Sequence, residues 1–409
     1  MLPLPKVSSC AADPPKLPLR LRFLSLLLAS CWLLPALAQT PPAGSGAAVP
    51  PLPLSNPGPP PQEPGSLQKM QPQGDRLGVW LTTVDSAVLR DRSEASRAVE
   101  TLAANGFTRV ALPLYTGGAL LWPVPAARNR LGVPPDPQLP GPDHVPQLLR
   151  QLGQRGLVRV GWLEFGLMAP AAAPWLQQRQ DLLLRDRQGA TLWSESPGLD
   201  RVWLNPAQPE VQAFLEDLVV EACTSLPLEM IQLDDHLGYP SRFGYDDTSL
   251  RLWRATADGA ADPLPAADAP AWLRWRADQV TALLARLRAA MRRSCPAVKL
   301  SIAPNPREFS YRSYLADWAT WVRQGLVDEV VVQIYRWDPR GLAVELADAG
   351  LAVAQERLPI RIGLLAGLRR QPKSVEQLRQ ELALVRQQGF SGIDLFFYES
   401  VRPLLPLEP

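Results

Sequence analysis

Two adjacent carboxylates and a histidine end the apolar run Ile231-Gln232-Leu233-Asp234-Asp235-His236. Carboxyl groups this close resist ionising together, so one is expected to keep its proton while its neighbour is charged. Such a pair can supply a proton and face a developing positive charge, the requirements of general acid catalysis. Strand parity separates the two: if Gln232 points inward then Asp234 does too, and Asp235 leans to the other face unless the chain bends after Asp234. The same alternation puts Ser301, Ala303 and Asn305 on one face of a later strand and Gln333 and Tyr335 on one face of the next, so Asp234, Asn305 and Tyr335 can line one pocket. Glu164 and Glu399 follow two other apolar runs. The plain alternative for any single acid is structural, capping a helix or pairing with arginine, and that is what Asp246-Asp247 is expected to do.

His236 is one of only two histidines. It is expected to hold a carboxylate or contact substrate, while His144 falls in the first turn of a helix. With no cysteine cluster, nitrogen and sulfur donors are too few for a zinc site, and neither a metal nor an organic cofactor is expected; an oxygen-ligated calcium in a loop stays open.

The elements that must position these residues alternate. Short apolar runs at Leu77 to Thr82, Thr108 to Leu112, Val158 to Phe165, Met230 to Asp234, Lys299 to Ala303, Val330 to Tyr335, Ile360 to Leu364 and Gly392 to Phe397 have the character of strands buried on both faces. Helical spacing fills Ser93 to Ala104, Val145 to Arg155, Pro209 to Thr224, Ala271 to Arg293, Tyr314 to Gln324, Arg340 to Gln355 and Ser374 to Gln388. This order predicts an α/β fold, a (β/α)8 TIM barrel, whose strand C-termini share one bowl. An open doubly wound sheet is the alternative, and no Gly-rich phosphate loop follows the first strand to support it. Val401-Arg402-Pro403-Leu404 is too short and proline-broken for a full final helix, so the abbreviated helix leaves a seam that needs cover from residues before Arg76 or a second subunit.

Residues 1–38 read as an export signal: Lys16, Arg20 and Arg22 precede the apolar Phe23 to Leu37, and Ala36-Leu37-Ala38 offers a cleavage site. Leu28-Ala29-Ser30-Cys31 competes as a lipoprotein site, at which Cys31 would carry lipid and attach the protein to a membrane; an uncleaved anchor is the third reading. Residues 39–75 are a Pro-rich linker expected to be disordered, and 76–409 the barrel domain. The expected location is the periplasm or cell envelope. There Cys223 and Cys295, the cysteines left after signal removal, either pair or stay buried thiols. Charge nearly cancels, 42 Lys and Arg against 40 Asp and Glu, which leaves no basic field for nucleic acid.

Leu77-Gly78-Val79-Trp80-Leu81-Thr82-Thr83-Val84-Asp85-Ser86, Asp234-Asp235-His236-Leu237-Gly238, Ser301-Ile302-Ala303-Pro304-Asn305-Pro306, Gln333-Ile334-Tyr335-Arg336-Trp337 and Phe396-Phe397-Tyr398-Glu399-Ser400 resemble, in order, the family-10-type glycosyl-hydrolase-like proteins of bacteria. The resemblance implies an exported TIM-barrel glycosidase with a polysaccharide substrate, and points toward peptidoglycan glycan strands. Glycosidic cleavage needs an acid for the leaving oxygen and a group to meet the oxocarbenium ion. One aspartate of the pair is expected to be the acid. Then either the substrate's own N-acetyl group attacks, oriented by the other aspartate and Tyr335, or Glu399 or Glu164 serves as base or nucleophile. Catalytic candidates are therefore Asp234, Asp235 and Glu399; substrate-binding candidates are Glu164, His236, Asn305, Gln333, Tyr335, Trp337, Trp80 and Trp162, the indoles as stacking faces for sugar rings. Trp175, Trp193 and Trp203 lie in or after a connection, Gly166 to Leu204, long enough to wall a cleft, and Ala255 to Pro270 is expected to be a more mobile loop. A sugar-binding scaffold on a decayed barrel is the competing class, and a metal-dependent deacetylase is disfavoured by the histidine count.

Overall fold

A computed structural model describes residues 76–194, 199–368 and 371–407. The expected signal, Cys31 and the linker lie outside these residues. Eight parallel strands close on themselves: β1 (Leu77–Trp80), β2 (Phe107–Thr116), β3 (Val158–Leu163), β4 (Met230–Asp234), β5 (Lys299–Ala303), β6 (Glu329–Gln333), β7 (Ile360–Leu365) and β8 (Ile393–Phe396). Each pairs with its neighbours in sequence, and β1 pairs with both β2 and β8, which makes the closure. No helix of the described residues is long and apolar enough to cross a membrane.

Helices cover the outside through apolar stripes. Helix α1 (Arg92–Ala104) starts where Asp91 accepts from the backbone N–H groups of Ser93 and Glu94, and it buries Ala95, Ala98, Val99 and Leu102, one stripe at helical spacing. Its counterparts include α2 (His144–Gln154), α3 (Pro209–Ser225) and α4 (Pro270–Ser294). Two predicted helices are broken. Arg340 to Gln355 is split into Pro339–Leu346 and Ala349–Gln355 because Asp348 caps a new start through the N–H of Gly350. Tyr314 to Gln324 begins late, at Trp318, because Leu315 takes a left-handed conformation and Asp317 caps the turn that follows.

The barrel interior has a polar lower layer and an aromatic upper one. Below, Arg109 of β2 meets Glu329 of β6 and Asp394 of β8, and Arg361 of β7 meets Asp394. Ser301 Oγ donates to Glu329, Gln232 Nε2 to Ser301, and Trp80 Nε1 to Gln232, so a continuous hydrogen-bonded column climbs from the ion network. Above it Trp80, Trp162, Tyr335, Phe396 and Phe397 pack together.

The tail itself closes the β8–β1 seam. A single helical turn, Tyr398–Val401, buries Tyr398 and Val401, and beyond the tight turn Arg402–Leu404 the chain buries Leu407. Arg402 faces Glu94 of α1, and Arg379 of the helix Val375–Gln387 donates to the Leu407 carbonyl. Among the described residues the cover comes from the chain's own last turns; the residues before Arg76, expected as one source of cover, lie outside the described residues. Cys223 and Cys295 are joined as a disulfide. It ties the end of α3 to the end of α4, the bottoms of the two elements that lead into β4 and β5.

Candidate active site

Strand β4 ends at Asp234, and the chain bends at once into the tight turn Asp235–Leu237. That bend puts Asp235 beside Asp234, each only 8% exposed. Two glycines make room for it by close approach. A Cβ at Gly238 would lie 2.3 Å from the Tyr314 carbonyl oxygen, and one at Gly166, whose φ is +50°, 2.7 Å from the His236 carbonyl oxygen. The loops after β3, β4 and β5 are thereby packed backbone to backbone.

The two aspartates have different partners. Asp234 Oδ1 accepts from Gln333 Nε2, which also donates to the Ala303 carbonyl, so the last residue of β6 reaches across the end of β5. Asp235 Oδ2 accepts from Asn305 Nδ2 at 2.6 Å, and its Oδ1 lies 3.3 Å from His236 Nδ1. His236 Nδ1 is also 2.9 Å from the Glu164 carbonyl, which can only accept, so that bond places the ring hydrogen on Nδ1. Glu164 itself takes a hydrogen bond from Thr116 Oγ1.

Burial pushes the Asp234 carboxyl well above the usual aspartate range, and the charges of Asp235 and then Glu164 push it further; the Gln333 hydrogen bond opposes them. Burial also raises Glu164, against the Thr116 hydrogen bond and the nearby charge of Arg201. Asp234 is therefore set to hold a proton while Asp235 accepts an amide N–H. Asp234, Asp235 and His236 each offer one ligand atom within 4.8 Å of the others, and this is the set that would hold a cation. One oxygen of each aspartate accepts from an amide N–H, of Gln333 and of Asn305, an arrangement that also serves a hydrogen-bonded acid pair.

Among the sequence candidates, Asp234, Asp235, His236, Glu164, Asn305 and Gln333 share this cluster. Tyr335 lies in the aromatic layer, stacked on Phe396 with ring centroids 5.1 Å apart. Trp337 packs on that layer and keeps part of its surface open. Glu399 is elsewhere. It follows β8, four strands from β4 in either direction, and accepts from Ser86 Oγ at 2.9 Å with Arg402 3.6 Å away. Trp80 and Trp162, expected as stacking faces, are 1% and 2% exposed. They are the top of the barrel's packing and present no open face to a sugar ring. Trp175 and Trp203 are buried as well, and Trp193 alone of that group keeps some surface.

The long connection after β3 folds into a small antiparallel sheet, Met168–Pro170, Trp193–Ser194 and Asp200–Trp203. The second loop carries the short helix Ala257–Ala261 and several hydrogen bonds to its surroundings: Trp253 donates to the Asp262 carbonyl, Tyr245 to that of Pro265, and Arg276 to that of Ala267. Asp246 caps the next helix and accepts from Asn205, a structural role. Sequence reading missed Thr116 because β2 continues past Pro113, where a strand is expected to fail for want of an N–H; the register shifts between Pro113 and Tyr115 to pass it. Arg201 was missed because it lies on a strand of the inserted sheet, where no motif marks it.

The sequence profile described as "Glycosyl hydrolase-like 10" matches residues 76–381. Glycosyl hydrolase DigH of Escherichia coli K12 is 24% identical over 357 aligned residues, which span 76% of this chain and 73% of DigH. Among solved structures, the glycoside hydrolase domain of PgaB (BpsB) from Bordetella bronchiseptica superposes with a TM-score of 0.58 at 13% identity, over 82% of this chain and 99% of that one. Alpha-L-fucosidase isoenzyme 2 from Paenibacillus thiaminolyticus gives a TM-score of 0.59 at 13% identity, over 81% of this chain and 48% of that one. At these identities the structural likenesses speak for the fold.

Proposed function

The chain belongs to the glycosyl hydrolase-like 10 family, and from that premise we propose that this glycoside hydrolase cleaves the N-acetylated glycan strands of peptidoglycan, with Asp234 as general acid and Asp235 as its charged partner. The observation that carries the reading is the unequal pair at the end of β4. Asp234 is pushed toward its protonated form by burial and by two neighbouring carboxylates, while Asp235 is held by the Asn305 amide. A general acid must hold its proton at the working pH, and a buried carboxyl beside a like charge does so.

In the proposed step the Asp234 proton passes to the glycosidic oxygen as the C1–O bond breaks, and the leaving sugar departs as an alcohol. The acetamido carbonyl oxygen closes on C1. Asp235 accepts from the acetamido N–H, and the Tyr335 hydroxyl donates to its carbonyl oxygen. Water then opens the cyclic intermediate with Asp234, now ionised, taking its proton. His236, Asn305 and Gln333 hold the two carboxylates in place, and the Glu164 carbonyl orients His236. Glu399, across the bowl, is the base or nucleophile in the alternative two-carboxylate route. Two further features favour export to the cell envelope as the setting: an export-type N-terminus and a disulfide, which persists in oxidising compartments.

The test is reducing-end release from purified peptidoglycan, with and without its stem peptides, by wild type, Asp234→Asn and Asp235→Asn. Release by wild type and loss of roughly 10²–10⁴-fold in each variant, with unchanged circular dichroism, is the expected result. Glycan capture by wild type without any release would overturn the hydrolytic reading in favour of a binding scaffold, and neither capture nor release would reject this substrate class.

A further inference from the structure

Outside the acid cluster and the ion network of the barrel's lower layer, the described residues hold another buried ionic group that the proposed chemistry does not use. Lys373 precedes the helix Val375–Gln387, and Glu381 lies on it; their side chains are 2% and 1% exposed. Lys373 Nζ donates to both Glu381 oxygens, at 2.8 and 2.7 Å, and to the carbonyl of Arg336 at 2.7 Å. Gln377, one turn before Glu381, donates through Nε2 to the carbonyl of Trp337 at 2.6 Å and to Glu381 at 3.0 Å. Two consecutive carbonyls of the segment that leaves β6 are thus gripped from the helix side. On the barrel side the same segment is gripped by the stack of Tyr335 on Phe396 and the packing of Trp337 on the aromatic layer.

Stability does not explain this arrangement. A buried ion pair gives back in mutual attraction about what its desolvation costs, and apolar residues of similar volume commonly replace one without loss. What an apolar pair cannot do is donate. A lysine ammonium with three N–H donors and a glutamine amide can bind two neighbouring carbonyls at set distances, and Glu381 keeps both donors aimed.

We infer that the Lys373–Glu381 pair, together with Gln377, is a positioning device that fixes the backbone at Arg336 and Trp337 and so aims the Tyr335 and Trp337 side chains at the bound glycan. The inference rests on the proposed site in taking those two side chains as substrate contacts. Lys373, Gln377 and Glu381 act through the Tyr335–Trp337 segment and touch no substrate. Freed of its two carbonyl clamps, that segment would lose the fixed geometry on which glycan binding depends.

The experiment compares the full chain with Lys373→Met/Glu381→Leu, which removes the charges while keeping volume, and with Gln377→Leu. With stem-peptide-free glycan strands as substrate, the expected result for the double variant is a KM raised about tenfold, with kcat changed less and the melting temperature held or raised. Gln377→Leu, which frees the Trp337 carbonyl but leaves the charged pair on Arg336, should show a smaller rise than the double variant, which frees the Arg336 carbonyl and also removes the Glu381 that aims Gln377. Independently of activity, 19F NMR of 5-fluorotryptophan-labelled protein should show the Trp337 resonance, assigned by Trp337→Phe, moved or broadened in both variants. An unmoved Trp337 resonance would overturn the inference, as would a fallen melting temperature with unchanged KM. If wild type cleaves no glycan the functional reading fails, and the resonance still decides whether the trio positions the segment.

Discussion

At the lower end of the barrel Asp394 lies between Arg109 and Arg361, whereas at the upper end Asp234 lies beside Asp235 and Glu164. Both carboxyls are almost wholly buried, on strands four apart in the same closed sheet. Burial pushes each of them up. At Asp394 the two guanidinium groups outweigh burial and leave the carboxyl below the usual range, while at Asp234 the neighbouring acids add to burial and take it well above. One barrel thus treats the same side chain in opposite ways, according to whether cations or carboxylates share its layer. The compensated end suits stability, and the uncompensated end suits proton transfer, the division expected between the two faces of such a barrel.

The contrast breaks most clearly by neutralising one acid at each end. Asp234→Asn should reduce glycan hydrolysis by about 10²–10⁴-fold while leaving urea unfolding close to wild type or shifted to higher stability, because a poorly accommodated carboxyl is removed. Asp394→Asn should do the reverse. It leaves two arginines short of a counter-charge, at a cost of about 3–5 kcal/mol in urea unfolding, with hydrolysis per folded molecule little changed. Similar stability losses in the two variants would dissolve the distinction. A smaller effect tests the lower end again: Cys223→Ala/Cys295→Ala, which opens a loop of 72 residues, should cost about 2–4 kcal/mol with activity retained.

The pH dependences should also oppose. Asp234 is raised in the folded state, so between the ordinary aspartate value of 3.8 and its raised value the folded chain holds a proton that the unfolded chain has released. Its contribution therefore favours folding at low pH and is lost as pH rises through that window. Asp394 is depressed, so its contribution is present above 3.8 and is lost as pH falls toward the lowered value. Chemical unfolding across pH should show Asp234→Asn flattening the first slope and Asp394→Asn the second. In activity, Asp235→Asn takes a like charge from Asp234, and the alkaline limb of its residual hydrolysis should move to lower pH; an unmoved limb would separate the limb from Asp234.

Much of this was legible in the chain. The strands were legible as short apolar runs between turn residues, since a strand buried on both faces has no polar face to disguise it. The acid pair was legible because two carboxylates at the exit of such a run have few structural uses. Helices were less so: Asp317 and Asp348 each start a new helix inside a stretch whose spacing reads as one, and a capping aspartate looks like an ordinary surface residue until its N–H partners are known. The tryptophans misled because indole serves equally for sugar stacking and for core, and Trp80 and Trp162 have the same neighbours in sequence in either case.

Composition and order along the chain settle the alternation of strand and helix and the presence of acids at strand ends, because these follow from local periodicity and from which residues can be buried. The unequal state of Asp234 and Asp235, the disulfide, the pairing of Asp394 with two arginines, and the grip of Lys373 and Gln377 on the segment after β6 belong to the folded state. Each depends on groups brought together from distant parts of the chain, and a pKa or a hydrogen bond is set by distance and burial, which no local pattern records.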